Sequence, residues 1–155
     1  MKKQKGFSLI ELLIVVAIIL IIAAIAIPNL LRSRMAANEA SAVGSLRTIN
    51  TAEVTYSTTY PSIGFAALTS LGGAAPCTSA TSTASCLLDN VLSAGVKSGY
   101  TFVTTAGATS PAVTYVSNAS PSVPGQSGTR YFFSDQSGVI RYNGTAAASA
   151  SDAAL

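Results

Sequence analysis

The sequence predicts an α+β fold: a long N-terminal α-helix, apolar in its first half and amphipathic in its second, packed against a small antiparallel β-sheet head. Three observations carry this. Leu12 to Ile27 contains no polar side chain and suits a hydrocarbon environment. From Leu31 onward apolar residues recur at helical spacing. After Ser98, short runs rich in aromatic and β-branched residues alternate with Gly, Pro and Ser clusters, as strands and turns do.

The chain of 155 residues has material for one modest domain and an appended element. Its net charge of +3 resides in Lys2, Lys3 and Lys5. Beyond them, Arg32, Arg34, Arg47, Lys97, Arg130 and Arg141 balance Glu11, Glu39, Glu53, Asp89, Asp135 and Asp152. A strong nucleic-acid footprint is therefore not expected.

Residues 1 to 31 admit three readings. A cleaved secretory signal would end in a small-residue exit, for which Ala24 and Ala26 are a poor match. A plain anchor needs about 20 apolar residues, and Leu12 to Leu31 supplies them if Pro28 and Asn29 are tolerated. Neither explains Glu11, because a carboxylate retained in hydrocarbon usually has a partner. In the third reading a cut after Gly6 removes the basic leader and leaves the whole apolar run on the product, beginning at Phe7.

The helix is expected from about Ser8 to about Thr58, on the order of 75 Å long. Leu31, Met35, Ala42, Leu46, Ile49, Tyr56 and Tyr60 form its apolar stripe, with Arg32, Arg34, Asn38, Glu39, Arg47 and Glu53 mostly off it. Pro28 removes a backbone donor and is expected to kink or loosen the helix, and Gly44 is a weaker point of flexibility. Residues 60–98 form a connecting region broken by Pro61, Gly64, Gly72, Gly73 and Pro76, with a short helix over Cys86 to Leu92. Four strands are expected within residues 99–144: Tyr100 to Thr105, Ala112 to Asn118, Arg130 to Ser134 and Val139 to Asn143. Asp135 to Gly138 joins the last two as a hairpin. Residues 145–155 read as a flexible low-complexity tail.

The segment KGFSLIELLIVVAIILIIAAIAIPNL resembles the N-terminus of type IV pilins and of the related pseudopilins of type II secretion. Leader lysines, glycine before an aromatic residue, a glutamate shortly beyond the cut and a proline late in the apolar run carry the likeness. SGYTF and GTRYFFSDQSGVIRYN also look like the heads of bacterial pilins. The resemblance implies a leader of residues 1–6, cleavage between Gly6 and Phe7 by a prepilin peptidase, and N-methylation of Phe7. It implies a helix over 7–59, of which 7–31 lies in the membrane or the filament core, melting around Pro28, and pairing of Glu11 with the Phe7 amine of a neighbouring copy.

The implied product is a helical homopolymer, a type IV pilus serving motility, adhesion or DNA uptake. Its implied partners are other copies of the chain, the peptidase, a platform protein, and assembly and retraction ATPases. The precursor would sit in the bacterial inner membrane with its N-terminus cytoplasmic and its head periplasmic, then move to the extracellular filament. A secretion pseudopilin is the nearest alternative, and a monomeric membrane-anchored binding protein is one of another class. In an exported chain, Cys77 and Cys86 read first as a disulfide.

Chemistry of other kinds finds little support. Without histidine there is no Ser-His or Cys-His pair, so no enzyme, cofactor or metal is expected. Asp89, Asp135 and Asp152 lie outside any oxygen-rich calcium loop and read as solvated surface groups. Asn118 and Asn143 match the glycosylation acceptor pattern, although Asn143-Gly144 reads equally as a turn.

Overall fold

The computed structural model describes residues 6–155, so Lys2, Lys3 and Lys5 lie outside the described residues. The chain divides into two units, one ending at Arg34 and one spanning Met35–Leu155. Helix α1, Leu9–Thr59, contributes to both. It stops where Tyr60 meets Pro61, since a residue before proline is pushed out of the helical region. In its last turns Thr48, Thr51, Thr55 and Thr59 each bond back to the carbonyl four residues earlier.

In the second unit α1 is followed by the short helices α2, Leu68–Leu71, and α3, Asn90–Ser93. The strands are β1, Val96–Lys97; β2, Tyr100–Ala106; β3, Tyr115–Pro121; β4, Tyr131–Asp135; and β5, Arg141–Asn143. They form one five-stranded sheet in sequential order, with every neighbouring pair antiparallel. The expected α+β architecture is therefore present, with one strand more than the sequence suggested. That strand, β1, is two residues long, too short to show periodicity. It is turned into β2 by Ser98 and Gly99, both at positive φ, as a primed two-residue hairpin requires. The expected strand from Ala112 begins instead at Tyr115, because Ala112 is used in a parallel bridge to Gly64.

The core forms between the second half of α1 and the inner face of the sheet. Ala42, Leu46, Ile49 and Tyr56 pack in one cluster with Tyr100, Phe102, Ala119 and Phe132. Register makes the volumes fit: Ala119 pairs with Phe102 on one side and Phe132 on the other, so a small residue sits between two large ones. Leu68, Leu71, Leu88 and Leu92 close the cluster from the α2 and α3 side.

Two further expectations changed. The helix expected over Cys86 to Leu92 starts only at Asn90, where the Asp89 carboxylate caps it by accepting from Leu92 N–H at 2.8 Å. Residues 145–155, expected as a tail, return to the free edge of β5. Tyr142 N–H bonds the Ala153 carbonyl and Leu155 N–H the Ile140 carbonyl, while Asp152 accepts from Asn143 and Ser149. Small residues hid this because the pairing uses backbone groups, which carry no hydropathy signal.

Candidate functional site

The N-terminal segment is built around a helix start. Gly6, Phe7 and Ser8 precede α1, and Phe7 is 80% exposed. Among the described residues a Cβ at Gly6 would meet nothing within 4 Å, so their packing places no demand for glycine there. At the helix entrance the Glu11 carboxylate accepts a hydrogen bond from Ser8 N–H at 2.9 Å. This is one arm of a capping box, and it sets the negative charge at the positive end of the helix dipole. Glu11 is thus held one turn from Phe7, the first residue that a cut after Gly6 would leave.

Beyond Glu11 the helix is apolar on all sides. Every Leu, Ile and Val from Leu9 to Leu31 is exposed, and this stretch contains a window of mean hydropathy 3.3, long and apolar enough to cross a membrane. Covering one such side chain is worth about 1.5–3 kcal/mol, so the surface as a whole demands lipid or protein around it. Pro28 lies inside α1 and leaves the Ala24 carbonyl without its usual donor four residues on.

The second half of α1 carries a different set of groups, which sequence reasoning missed. Glu39 and Glu53, expected mostly off the apolar stripe, are both buried. Their spacing was the available signal: Glu53 stands four residues after Ile49 and three before Tyr56. Glu39 receives Thr129 N–H at 2.8 Å, Thr129 Oγ1–H at 3.1 Å, Arg130 N–H at 3.2 Å and Arg130 Nε–H at 2.7 Å. Burial raises its carboxyl pKa, but these donors together outweigh that and hold it below the ordinary carboxylate value. Glu53 has one partner, Ala66 N–H at 3.0 Å. There burial dominates and pushes the carboxyl up to about 7. Asn50 and Tyr56 complete the attachment of this half-helix: Asn50 bonds Ser134 and accepts from Tyr115, and Tyr56 donates to the Ser82 carbonyl.

Ser82 lies within the ring closed by Cys77 and Cys86, which form a disulfide with Cα atoms 5.8 Å apart. Asp89, Asp135 and Asp152 each have a structural partner within the head. Asp89 caps α3 and pairs with Lys97 at 3.1 Å, Asp135 holds the turn through Ser137, and Asp152 anchors the returning C-terminal segment. Among the described residues no group of three potential metal ligands forms. The Asn143 side chain is engaged at both ends, with Asp152 and with the amides of Thr145 and Ala146. Asn118 sits mid-strand in β3.

Residues 1–27, which include the entrance of this apolar helix, match the family described as the prokaryotic N-terminal methylation motif. Two curated proteins are similar over part of the chain. One is the "Type IV wide pilus major component PilA4" of Thermus thermophilus, 64% identical over 39 residues, 25% of this chain and 30% of that protein. The other is the "Type IV major pilin protein PilA" of Myxococcus xanthus, 44% identical over 54 residues, 35% of this chain and 24% of that protein. The similarity thus spans under a third of either relative's length. No solved structure matches. With the long helix and antiparallel head, these likenesses make the chain similar to type IV pilins over its N-terminal region.

Proposed function

We propose that the chain is the structural subunit of a type IV pilus. It is made as a precursor in the inner membrane, with the N-terminus cytoplasmic and the head periplasmic. A prepilin peptidase cuts between Gly6 and Phe7 and the new Phe7 amine is methylated. Subunits then assemble by their N-terminal helices into a helical surface filament for motility, adhesion or DNA uptake, driven through a platform protein and by assembly and retraction ATPases. The supporting observation is the wholly exposed apolar half of α1 entered by Glu11.

Physical reasons favour each step. The free glycine position at 6 suits an outside requirement, that of a peptidase for a small residue. A carboxylate entering a low-dielectric filament core is stabilised by an opposite charge, and the Phe7 amine of an adjacent copy supplies one. The Ala24 carbonyl freed by Pro28 gives a place for the helix to loosen as copies pack. Mass spectrometry of the chain from sheared surface filaments tests the reading: the expected N-terminal peptide begins at a methylated Phe7. An uncut leader on a chain found only in membranes contradicts it and returns the chain to a monomeric anchored module.

A further inference from the structure

A second carboxylate, in the head, is not used by the assembly reading. Glu53 has no solvent exposure; one oxygen accepts from Ala66 N–H and, among the described residues, the other has no hydrogen-bond partner. Among the described residues no Lys or Arg nitrogen lies within 4.0 Å of it. The ionisable groups that feel it are Tyr56 from α1 and Tyr115 from β3. Both phenols are raised by burial, Tyr115 to about 12, so neither titrates near neutrality. Residues 61–71, which follow the helix and include Ala66, contain no ionisable side chain. Asp135 on β4 acts on Tyr115.

Each charge state asks something different of this site. Neutral, the carboxyl leaves one oxygen unpartnered, a modest cost. Ionised, it leaves most of its acceptor capacity dry in an apolar core with no cation, which is much more costly. Water can relieve that cost only by reaching the buried oxygen, and the neighbouring cover is the segment between Tyr60 and α2, tied to the helix by the Ala66 bond. We propose that Glu53 is a proton-operated latch: protonated, it lets α1 and the segment carrying Ala66 close on each other, and ionised, it draws water in and loosens that segment. The segment leads to the disulfide ring, so the latch governs how firmly that part of the head is held to the helix.

The sign follows from an acid whose folded pKa is raised from 4.5 to about 7. The folded state binds the proton more tightly, so stability is fullest below 4.5, falls as pH rises toward 7, and is level above. The test is thermal unfolding of the full chain in detergent micelles, followed by tyrosine near-UV circular dichroism between pH 5 and 8. The melting temperature of the wild type is expected to fall by roughly 10 °C across that range, and Glu53→Gln is expected to lose most of that slope. A flat wild-type profile, or an unchanged slope in Glu53→Gln, overturns the proposal. Should Glu53→Gln not fold, a carboxyl-carbon NMR titration of the wild type decides: a Glu53 resonance moving near pH 7 supports the latch, and one moving at or below 4.5 refutes it.

Discussion

Between Leu9 and Leu31 every Leu, Ile and Val of α1 faces outward, whereas between Ala42 and Tyr56 the same helix buries Leu46 and Ile49 completely. The more apolar half is the more exposed one. The reason is pattern: the first half is apolar all round, so no face is singled out for a partner within the chain. The second half has lower hydropathy but repeats its apolar residues at three and four, which selects one face for the sheet. Composition tells what surroundings a helix tolerates, and periodicity tells whether the chain itself supplies them.

The contrast is broken most strongly by matched truncations. Leu46→Ala removes a fully buried side chain and is expected to destabilise the head by about 2–5 kcal/mol in chemical denaturation. Leu20→Ala, at 62% exposure, is expected to leave that midpoint unchanged and to act only on what surrounds the apolar half. Equal losses from the two would erase the distinction.

Reduction of the Cys77–Cys86 bridge sharpens it from the head's side. The ring is short, so the expected loss is about 2–3 kcal/mol, read as a shifted denaturant midpoint, with membrane insertion unaffected. Two thiols open to alkylation in the native chain before reduction would contradict the bridge.

A smaller effect comes from Glu39→Gln, expected to cost about 1–2 kcal/mol at neutral pH because charge-assisted bonds from Thr129 and Arg130 become neutral ones. The wild-type carboxyl is held below 4.5, so its contribution is full above that pH and is lost as pH falls through the lowered value. Glu39→Gln should therefore flatten the acid limb of the stability profile. An unaltered acid limb would mean that the four donors do not favour the charged form.

Much of this was legible from residue order alone. Leu12 to Ile27 announced the apolar half, and Asp135 to Gly138 announced the β4–β5 hairpin, realised by Gly138 N–H bonding the Asp135 carbonyl with Gly138 at φ +72. What stayed hidden depends on partners distant in sequence. Glu39 reads as a surface charge until Thr129 and Arg130 arrive from the sheet, and Glu53 until Ala66 folds back beneath it. At the N-terminus the motif residues are all legible, and the bond from Ser8 N–H to Glu11 has its signal in the capping-box spacing of the two residues.

In the proposed filament, Glu11 and the apolar half of α1 serve contact with other copies of the chain. The most direct test expresses Glu11→Val as the sole copy and measures the chain in sheared filaments relative to membranes, at wild-type expression. The substitution makes the span more apolar and leaves the Gly6–Phe7 bond intact, so insertion and trimming are expected to continue. Filament yield is expected to fall to background, with Glu11→Asp intermediate because its carboxylate reaches one methylene less far. Wild-type filament yield from Glu11→Val would contradict the claim and leave Glu11 as a helix cap at the membrane surface.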